Sequence, residues 1–371
     1  MHYNRIRIAA FGCRYLPPKD GSAGEDKFAS ELYPRIVKLG HSVVVYTRVY
    51  TKQKNKKQNY RGVTTIALKT VRRSGFDTFI HSLKATFHIL VHNTGNIIHI
   101  HNGGNSIWAF ILRLFGKNIF ISQDGIDWKR DKWKWYGKQY LFISTFITAY
   151  IPNRVIFDNI FSKQYFEKRF KKRFDFIPYG SEVSLQSNDL SVLDDIGIKS
   201  CGYFLFVGRF IPDKGLHYLI KAFEQVKTDK KLVLIGGSPN ESEYEKKIRG
   251  TNDSRIIFPG FIYGDNVNIL IKNAYAYIQP SDVEGLSPVI LQVMGLGTPL
   301  LCSDIPENKY IVKDDAIIFK KGNVQSLKDN IEYLLKNVEK IYFVASLGKE
   351  RIMREYNWDT IVDQYLGVFI S

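Results

Sequence analysis

Several things are scarce in this chain. Of its 371 residues three are cysteine, three are methionine and twelve are proline. Cys13, Cys201 and Cys302 are odd in number, far apart and without zinc or thioredoxin spacing, which excludes a disulfide framework. They read as small buried hydrophobes of a protein in a reducing compartment. The longest apolar stretch, Tyr140–Ile151, is broken by Ser144, Thr145 and Thr148, well short of the ~20 residues a bilayer-spanning helix needs. The apolar run Ile6–Gly12 is too short and wrongly flanked for a signal peptide. Acidic residues are scarce in one half only. Residues 1–180 hold 31 Lys and Arg against 11 Asp and Glu, an excess of +20, whereas residues 181–371 hold 22 against 25, or −3. With 44% hydrophobic residues the chain excludes disorder, and its length suggests two domains, here with different partners.

Along the first half, short β-like runs alternate with helical spacing. Ile6–Phe11 ends at Gly12, and Phe28, Leu32, Ile36 and Leu39 mark a helix that Gly40 and His41 stop before a strand at Ser42–Thr47. Further strands are expected at Val63–Leu68, Ile97–Ile100, Asn118–Ser122, Val155–Phe157 and Phe176–Pro178, and residues 51–61 read as an exposed lysine-rich loop. A polar stretch follows to about residue 200, and the pattern then restarts at Tyr203–Val207. Strands separated by helices imply parallel sheets, so the expectation is an α/β chain of two doubly wound units with a deep cleft between them. The expected boundaries are 1–180, a linker at 181–200, 201–354, and a terminal helix over 355–371 returning to the first domain.

Two segments carry chemistry. In Val207–Gly215, Arg209 and Lys214 stand just past a strand and at a helix start, where cations over a sheet's carboxyl edge suit a diphosphate. A surface Arg and Lys in a turn is the plainer alternative. In Pro280–Met294 a strand runs through Glu284 into a helix carrying Gln292. A carboxylate and an amide there suit sugar and ribose hydroxyls, while free N–H groups of the turn suit phosphate. An ordinary loop Glu and a helix-surface Gln are the alternatives.

Together these residues resemble family 4 of the glycosyltransferases, which have the GT-B fold of two facing Rossmann-like domains. The resemblance rests on Gly208-Arg209 with Lys214, on Glu284 to Gln292 in place of a Glu-x7-Glu motif, on Gly297-Thr298-Pro299 and Ser303–Asn308, and on Tyr356-Asn357-Trp358 before the last helix. It implies that Arg209 and Lys214 bind the donor diphosphate, that Glu284 contacts the donor sugar as a catalytic residue, and that Gln292 holds the ribose. Gln292 departs from the family pattern and forgoes a charge-assisted bond. Pro288 removes one N–H from the turn, leaving Leu286 and Ser287 as the phosphate donors.

The first half resembles the family more loosely. Gly24 matches the second glycine of a Gly-Gly loop near the donor phosphates, with Ala23 in place of the first. Asp124-Gly125 occupies the position of a His-Gly pair, and with Trp128-Lys129-Arg130 and Trp133 it resembles a rhamnosyltransferase-like subgroup. Asp124 is therefore expected to face the sugar or the acceptor as a second catalytic residue. His99 and His101 lie on one face of a strand and read as structural or cleft-lining. No Asp-x-Asp occurs, which argues against the metal-dependent GT-A class, so no metal and no cofactor beyond a nucleotide-sugar is expected.

The basic excess includes the 51–61 loop, Arg72-Arg73, the Trp/Lys run 128–138 and Ser162–Phe174, whose Phe166, Phe170 and Phe174 form a stripe beside six cations. The stripe reads as core-facing. The charge as a whole suits an anionic membrane surface. The implied protein is a retaining transferase moving a sugar, with rhamnose suggested, from a nucleotide-diphosphate sugar to a lipid-linked or polysaccharide acceptor. It would work in capsule or O-antigen assembly, in the cytoplasm and peripheral on the inner face of the plasma membrane. A phosphorylase or epimerase of the same fold, a weakly active accessory subunit and a nucleic-acid-binding protein are the alternatives. The last lacks any recognisable DNA- or RNA-reading motif.

Overall fold

The computed structural model describes residues 5–19, 24–50, 57–72, 75–126, 135–181, 189–238 and 242–371. The chain divides into two compact units, residues 1–180 with 358–371, and residues 181–357.

The first unit is built on strands β1 (Arg7–Phe11), β2 (Ser42–Val49), β3 (Lys57–Tyr60), β4 (Val63–Lys69), β5 (Ile97–His101), β6 (Asn118–Gln123), β7 (Arg154–Phe157) and β8 (Asp175–Phe176). Their order is β3-β4-β2-β1-β5-β6-β7-β8, parallel throughout except for β3 against β4. Helices α1 (Gly24–Lys38), α2 (Phe76–His92), α3 (Ala109–Leu114), α4 (Trp135–Tyr150) and α5 (Ile160–Phe170) connect them. Alternation along each strand sends side chains to two cores. Ile8, Ala10, Val43 and Val45 meet Phe28, Leu32 and Ile36 of α1 and the C-terminal helix Trp358–Ile370. Ala9, Phe11, Ile98 and Ile100 meet Ala85, Ile89, Ala109, Leu112 and Phe166 on the other face.

The second unit contains α6 (Ser191–Ile196), β9 (Tyr203–Arg209), α7 (Leu216–Phe223), β10 (Lys231–Gly237), α8 (Glu243–Arg249), β11 (Ile256–Gly260), α9 (Asp265–Lys272) and β12 (Ala276–Gln279). It continues through α10 (Pro288–Leu296), β13 (Leu300–Ser303), α11 (Pro306–Val312), β14 (Ile317–Phe319), α12 (Val324–Lys336) and α13 (Val338–Glu355), after which the C-terminal helix is α14. Its sheet runs β11-β10-β9-β12-β13-β14, all parallel. In each sheet the winding direction reverses once, between β1 and β5 and between β9 and β12. Open parallel sheets bind ligands beyond the carboxyl ends of the strands at such reversals.

Four sequence readings change. Part of the lysine-rich segment is edge strand β3 rather than loop, because Lys57–Tyr60 pairs with Val63–Ile66; residues 51–56 lie outside the described residues. Within the stretch read as linker, α6 forms and buries Val192 and Leu193, while residues 182–188 lie outside the described set. The basic helix stops at Phe170, where Lys171 turns left-handed with φ 54°; Phe166 and Phe170 are buried and Phe174 packs on Phe157 and Phe166. Cys13 and Cys302 are buried, but Cys201 is exposed on the turn before β9.

Candidate functional site

The winding reversal of the second unit gathers most of the residues singled out in its sequence. Arg209 ends β9, exposed to solvent, and no described residue forms an ion pair with it. A 3-10 turn, Pro212–Lys214, follows. Lys214 Nζ lies 2.5 Å from Glu284 Oε1, with both side chains largely buried. Glu284 is held from a second side. Tyr277 Oη bonds Gln279 Oε1 at 3.1 Å, and Gln279 Nε2 donates to Ser281 Oγ and to the same Glu284 oxygen. This buried chain starts at the backbone of Val207, whose N–H and carbonyl both meet Tyr277 Oη. One carboxylate oxygen of Glu284 thus takes both bonds. The two loops are also tied by the Asp282 N–H donating to Asp213 O at 2.8 Å.

Glycines open this edge. Gly236 has φ 126°, and a Cβ there would collide with the Gly208 carbonyl. Gly215, at φ 67°, sits against the Pro280 carbonyl in the same way. Both positions need glycine for conformation and for clearance. Leu286 and Ser287 precede α10; Ser287 is its extended N-cap and Pro288 its first residue, where a missing N–H removes nothing the helix would use. Gln292 points to α9, its Nε2 donating to Asn268 Oδ1, which leaves its carbonyl oxygen as the acceptor presented elsewhere. Beyond β11, Phe261 and Tyr263 are exposed and stack at 5.9 Å and 6°. They line a cavity of about 570 Å3 with Val192, Ile196, Ile257 and Pro259.

The corresponding place in the first unit is a small polar cavity lined by Glu25, Phe28, His101, Asn102, Asp124, Asp158 and Tyr179, among others. Glu25 sits in the first turn of α1, next to Gly24, and accepts from Asn102 Nδ2 at 2.7 Å. A Cβ at Gly24 would lie 4.0 Å from the Tyr179 ring, an ordinary contact. Asp124 stands just past β6. Asp158 follows β7 and is 6% exposed; its Oδ1 has no hydrogen-bond partner. Burial first, and the nearby Asp124 charge second, push the Asp158 carboxyl well above the carboxylate range, against the Tyr179 hydrogen bond that lowers it. The same surroundings raise the Tyr179 phenol.

His99 and His101 share one strand face and both meet Tyr33 Oη, at 2.8 and 2.5 Å. Burial pushes the His101 imidazole down to about 3, and burial with its neighbour lowers His99 as well. Both are neutral struts; His101 also forms part of the cavity wall. No group of three or more His, Cys, Asp or Glu side chains among the described residues is arranged as a metal site. The small-residue positions Gly21–Ala23 and the pattern Asp127–Trp133 lie outside the described residues.

Sequence reasoning missed Gln279 and Tyr277 in the second unit, and Glu25, Asn102, Asp158 and Tyr179 in the first. Asp158 had one legible signal. In Phe157-Asp158-Asn159 the helix N-cap is Asn159, which accepts from Phe161 and Ser162, so the preceding aspartate has no capping task.

The family model for glycosyl transferases group 1 matches residues 198–342, the segment holding Arg209, Lys214, Glu284 and Gln292. Residues 198–342 are thus a domain of the glycosyl transferases group 1 type. A second model, a domain of unknown function (DUF1972), matches residues 84–182, which include Asp124, Asp158 and Tyr179. An uncharacterized glycosyltransferase, YqgM, of Bacillus subtilis is 25% identical over 79% of this chain and 84% of its own length. O-antigen chain mannosyltransferase C of Escherichia coli is 23% identical over 55% of this chain and 56% of its own. An uncharacterized glycosyltransferase of Methanocaldococcus jannaschii is 29% identical over 44% of each. The chain thus spans about half the length of these last two relatives. Among solved structures, sucrose-phosphate synthase from Thermosynechococcus elongatus aligns with TM-score 0.84 at 19% identity, over 98% of both chains. HepE of Anabaena, in complex with UDP and glucose, aligns with TM-score 0.78 at 14% identity, over 98% of this chain and 99% of its own. The fold of the chain is accordingly α/β with two parallel-sheet domains of the GT-B kind.

Proposed function

We propose that this glycosyltransferase is a retaining, metal-independent enzyme that moves a hexose or deoxyhexose from a nucleoside-diphosphate sugar to a lipid-linked glycan during cell-surface polysaccharide assembly. The reading rests above all on the Lys214–Glu284 pair beside exposed Arg209 at the winding reversal of the second sheet. Lys214, held in place, and Arg209, free to close on the ligand, stabilise the charge that develops where a diphosphate departs. Leu286 and Ser287 add N–H groups at the start of α10, Gly24 at the start of α1 offers its own N–H to phosphate, and Glu284 holds the sugar through its remaining oxygen. The stacked Phe261 and Tyr263 rings suit a nucleobase, and the Gln292 carbonyl oxygen suits a ribose hydroxyl.

In the first unit Asp124 faces the transferred sugar or the acceptor, with Glu25 and Asp158 offering further oxygens to hydroxyls. Retention follows where the acceptor oxygen attacks the face the diphosphate leaves, the hydroxyl proton passing to the departing phosphate. The relatedness to O-antigen mannosyltransferases supports mannose, and the Asp124-Gly125 pattern supports rhamnose. No cofactor takes part. We place the enzyme on the cytoplasmic side of an anionic membrane, as a peripheral protein.

The test is incubation of the purified protein and lipid extract with GDP-mannose, UDP-glucose and dTDP-rhamnose, with product release followed by chromatography. Release of a nucleoside diphosphate with a glycolipid product is the expected result. Phosphate-dependent release of a sugar 1-phosphate instead would assign a phosphorylase.

A further inference from the structure

The sheet of the first unit is covered on one side by a single helical layer. Helix α2 packs on the 3-10 turn Gly103–Trp108 that leads into α3, through the Phe79–Trp108 ring contact at 4.9 Å and the Trp108 Nε1 bond to Phe79 O. Helix α4 joins through Ser106 Oγ to Ser144 O and Thr148 Oγ1 to Ser106 Oγ. The inward faces supply Ala85, Ile89, Ala109, Leu112 and Ala149 to the core. Exposed side chains of these helices therefore point away from the sheet.

Those side chains are unusual. On α4 the exposed positions Trp135, Gln139, Ile143, Phe146 and Tyr150 form one stripe at helical spacing. On α2 the stripe is Phe76, Lys84, Phe87 and Val91. Leu114, at the end of α3, is 80% exposed, Val91 75% and Phe115 67%. Asp77 is the sole acidic residue in the three helices, and it is buried against Arg48 at 2.7 Å. The outward face is thus apolar, aromatic or basic apart from the uncharged Gln139, with no carboxylate from these three helices on it.

A cationic rim adjoins this face. Phe170 of α5 packs on Phe146 and Tyr150, and α5 runs out into exposed Lys168, Arg169, Lys171, Lys172 and Arg173. Arg169 lies over the Phe146 ring at 5.7 Å and Lys172 over Tyr150 at 4.2 Å. An apolar surface with interfacial aromatics and a basic edge is complementary to acyl chains beneath anionic headgroups. No described helix is long and apolar enough to cross a membrane, so the contact is with the surface.

We propose that the outer face of the α2–α3–α4 layer, with the basic end of α5 as its rim, is the surface by which this protein lies on an anionic lipid bilayer. This rests on the peripheral-membrane reading above and assigns it to a place. It also gives a role to apolar side chains that neither core nor site uses.

The test is co-sedimentation of the full-length protein with vesicles of equal parts phosphatidylcholine and phosphatidylglycerol, and with phosphatidylcholine alone. Wild type binds the anionic vesicles about tenfold or more tightly than the neutral ones. Val91→Gln/Leu114→Gln/Phe115→Gln and Lys168→Gln/Lys171→Gln/Arg173→Gln each weaken that binding by about tenfold or more, the second also flattening its salt dependence. Both variants keep the wild-type Tm and affinity for UDP and GDP. If wild type binds neither vesicle, the membrane reading itself falls. If wild type binds anionic vesicles and both variants match it, the membrane reading stands and this face is the wrong one. Light scattering that shows a dimer, split by the first variant with vesicle binding unchanged, assigns the face to a second copy and overturns the proposal.

Discussion

The two winding reversals are furnished with opposite charge, and each opposes the charge of the unit that holds it. The first half of the chain carries +20, yet its reversal gathers the acids Glu25, Asp124 and Asp158. The second half carries −3, yet its reversal presents Arg209 and Lys214, the latter paired with Glu284. A domain's net charge therefore does not report the chemistry of its site. A cluster of exposed cations of the first unit lies elsewhere, on the rim at the end of α5, where the proposed partner is a large surface rather than the reacting groups. On the proposed reading the basic surface serves docking and the acidic pocket serves hydroxyls.

The contrast is open to breaking. The largest effect is expected at the Lys214–Glu284 pair. Lys214→Ala should lower kcat about 10²–10³-fold, and should also lower Tm, because it strands a buried carboxylate. Steady-state kinetics and a melting curve separate the two effects; near-normal turnover would remove Lys214 from the donor site.

Acid provides the next test, this time of the first unit. Burial pushes His81 and His101 down to about 3, and His99 is lowered too. The folded protein keeps these rings neutral where the unfolded chain protonates them. Their stabilising contribution is present above about pH 6.5 and is lost as pH falls toward about 3. Urea midpoints measured down that range should decline steadily; a flat profile would mean that these buried rings are not held neutral.

Asp158 has the opposite sign. Its raised carboxyl keeps a proton in the folded state that the unfolded chain releases above about pH 4, so stability falls as pH rises through that window. Asp158→Asn should remove this fall and raise Tm by a few degrees at about pH 8 relative to wild type, with little change at about pH 4. An identical pH slope in the variant would show that Asp158 is ionised, and the pocket more strongly acidic than described.

The smallest effect is expected at Gln292. Gln292→Glu should tighten UDP or GDP binding about threefold through a charge-assisted ribose bond, partly offset by loss of the donor to Asn268. Calorimetry that finds weaker binding would place the ribose elsewhere.

The same contrast explains what could be read in the chain. Lys214 and Glu284 were legible because each lies in a short contiguous segment whose glycines and strand–helix junctions mark a sheet edge. The pocket of the first unit comes from four separated stretches, at residues 25, 102, 124 and 158, and apart from Asp124 no local pattern ties them together. Strands read well where burial on both faces leaves continuous apolar runs, as in β1 and β9. Edge strand β3 did not, since Lys57–Tyr60 owes its strand to pairing with β4 rather than to apolar content. The apolar outer faces of α2 and α4 were invisible for a related reason. Periodicity shows a helix but does not say which of two apolar stripes meets the core.

The central claim is that the second unit holds the donor diphosphate at the β9–β12 reversal. Arg209→Ala tests it most directly, because Arg209 is exposed and its loss strands no buried charge. Calorimetric titration with UDP and GDP should show the preferred nucleotide bound about tenfold more weakly by the variant, at an unchanged Tm. Equal affinity in wild type and variant would contradict the account.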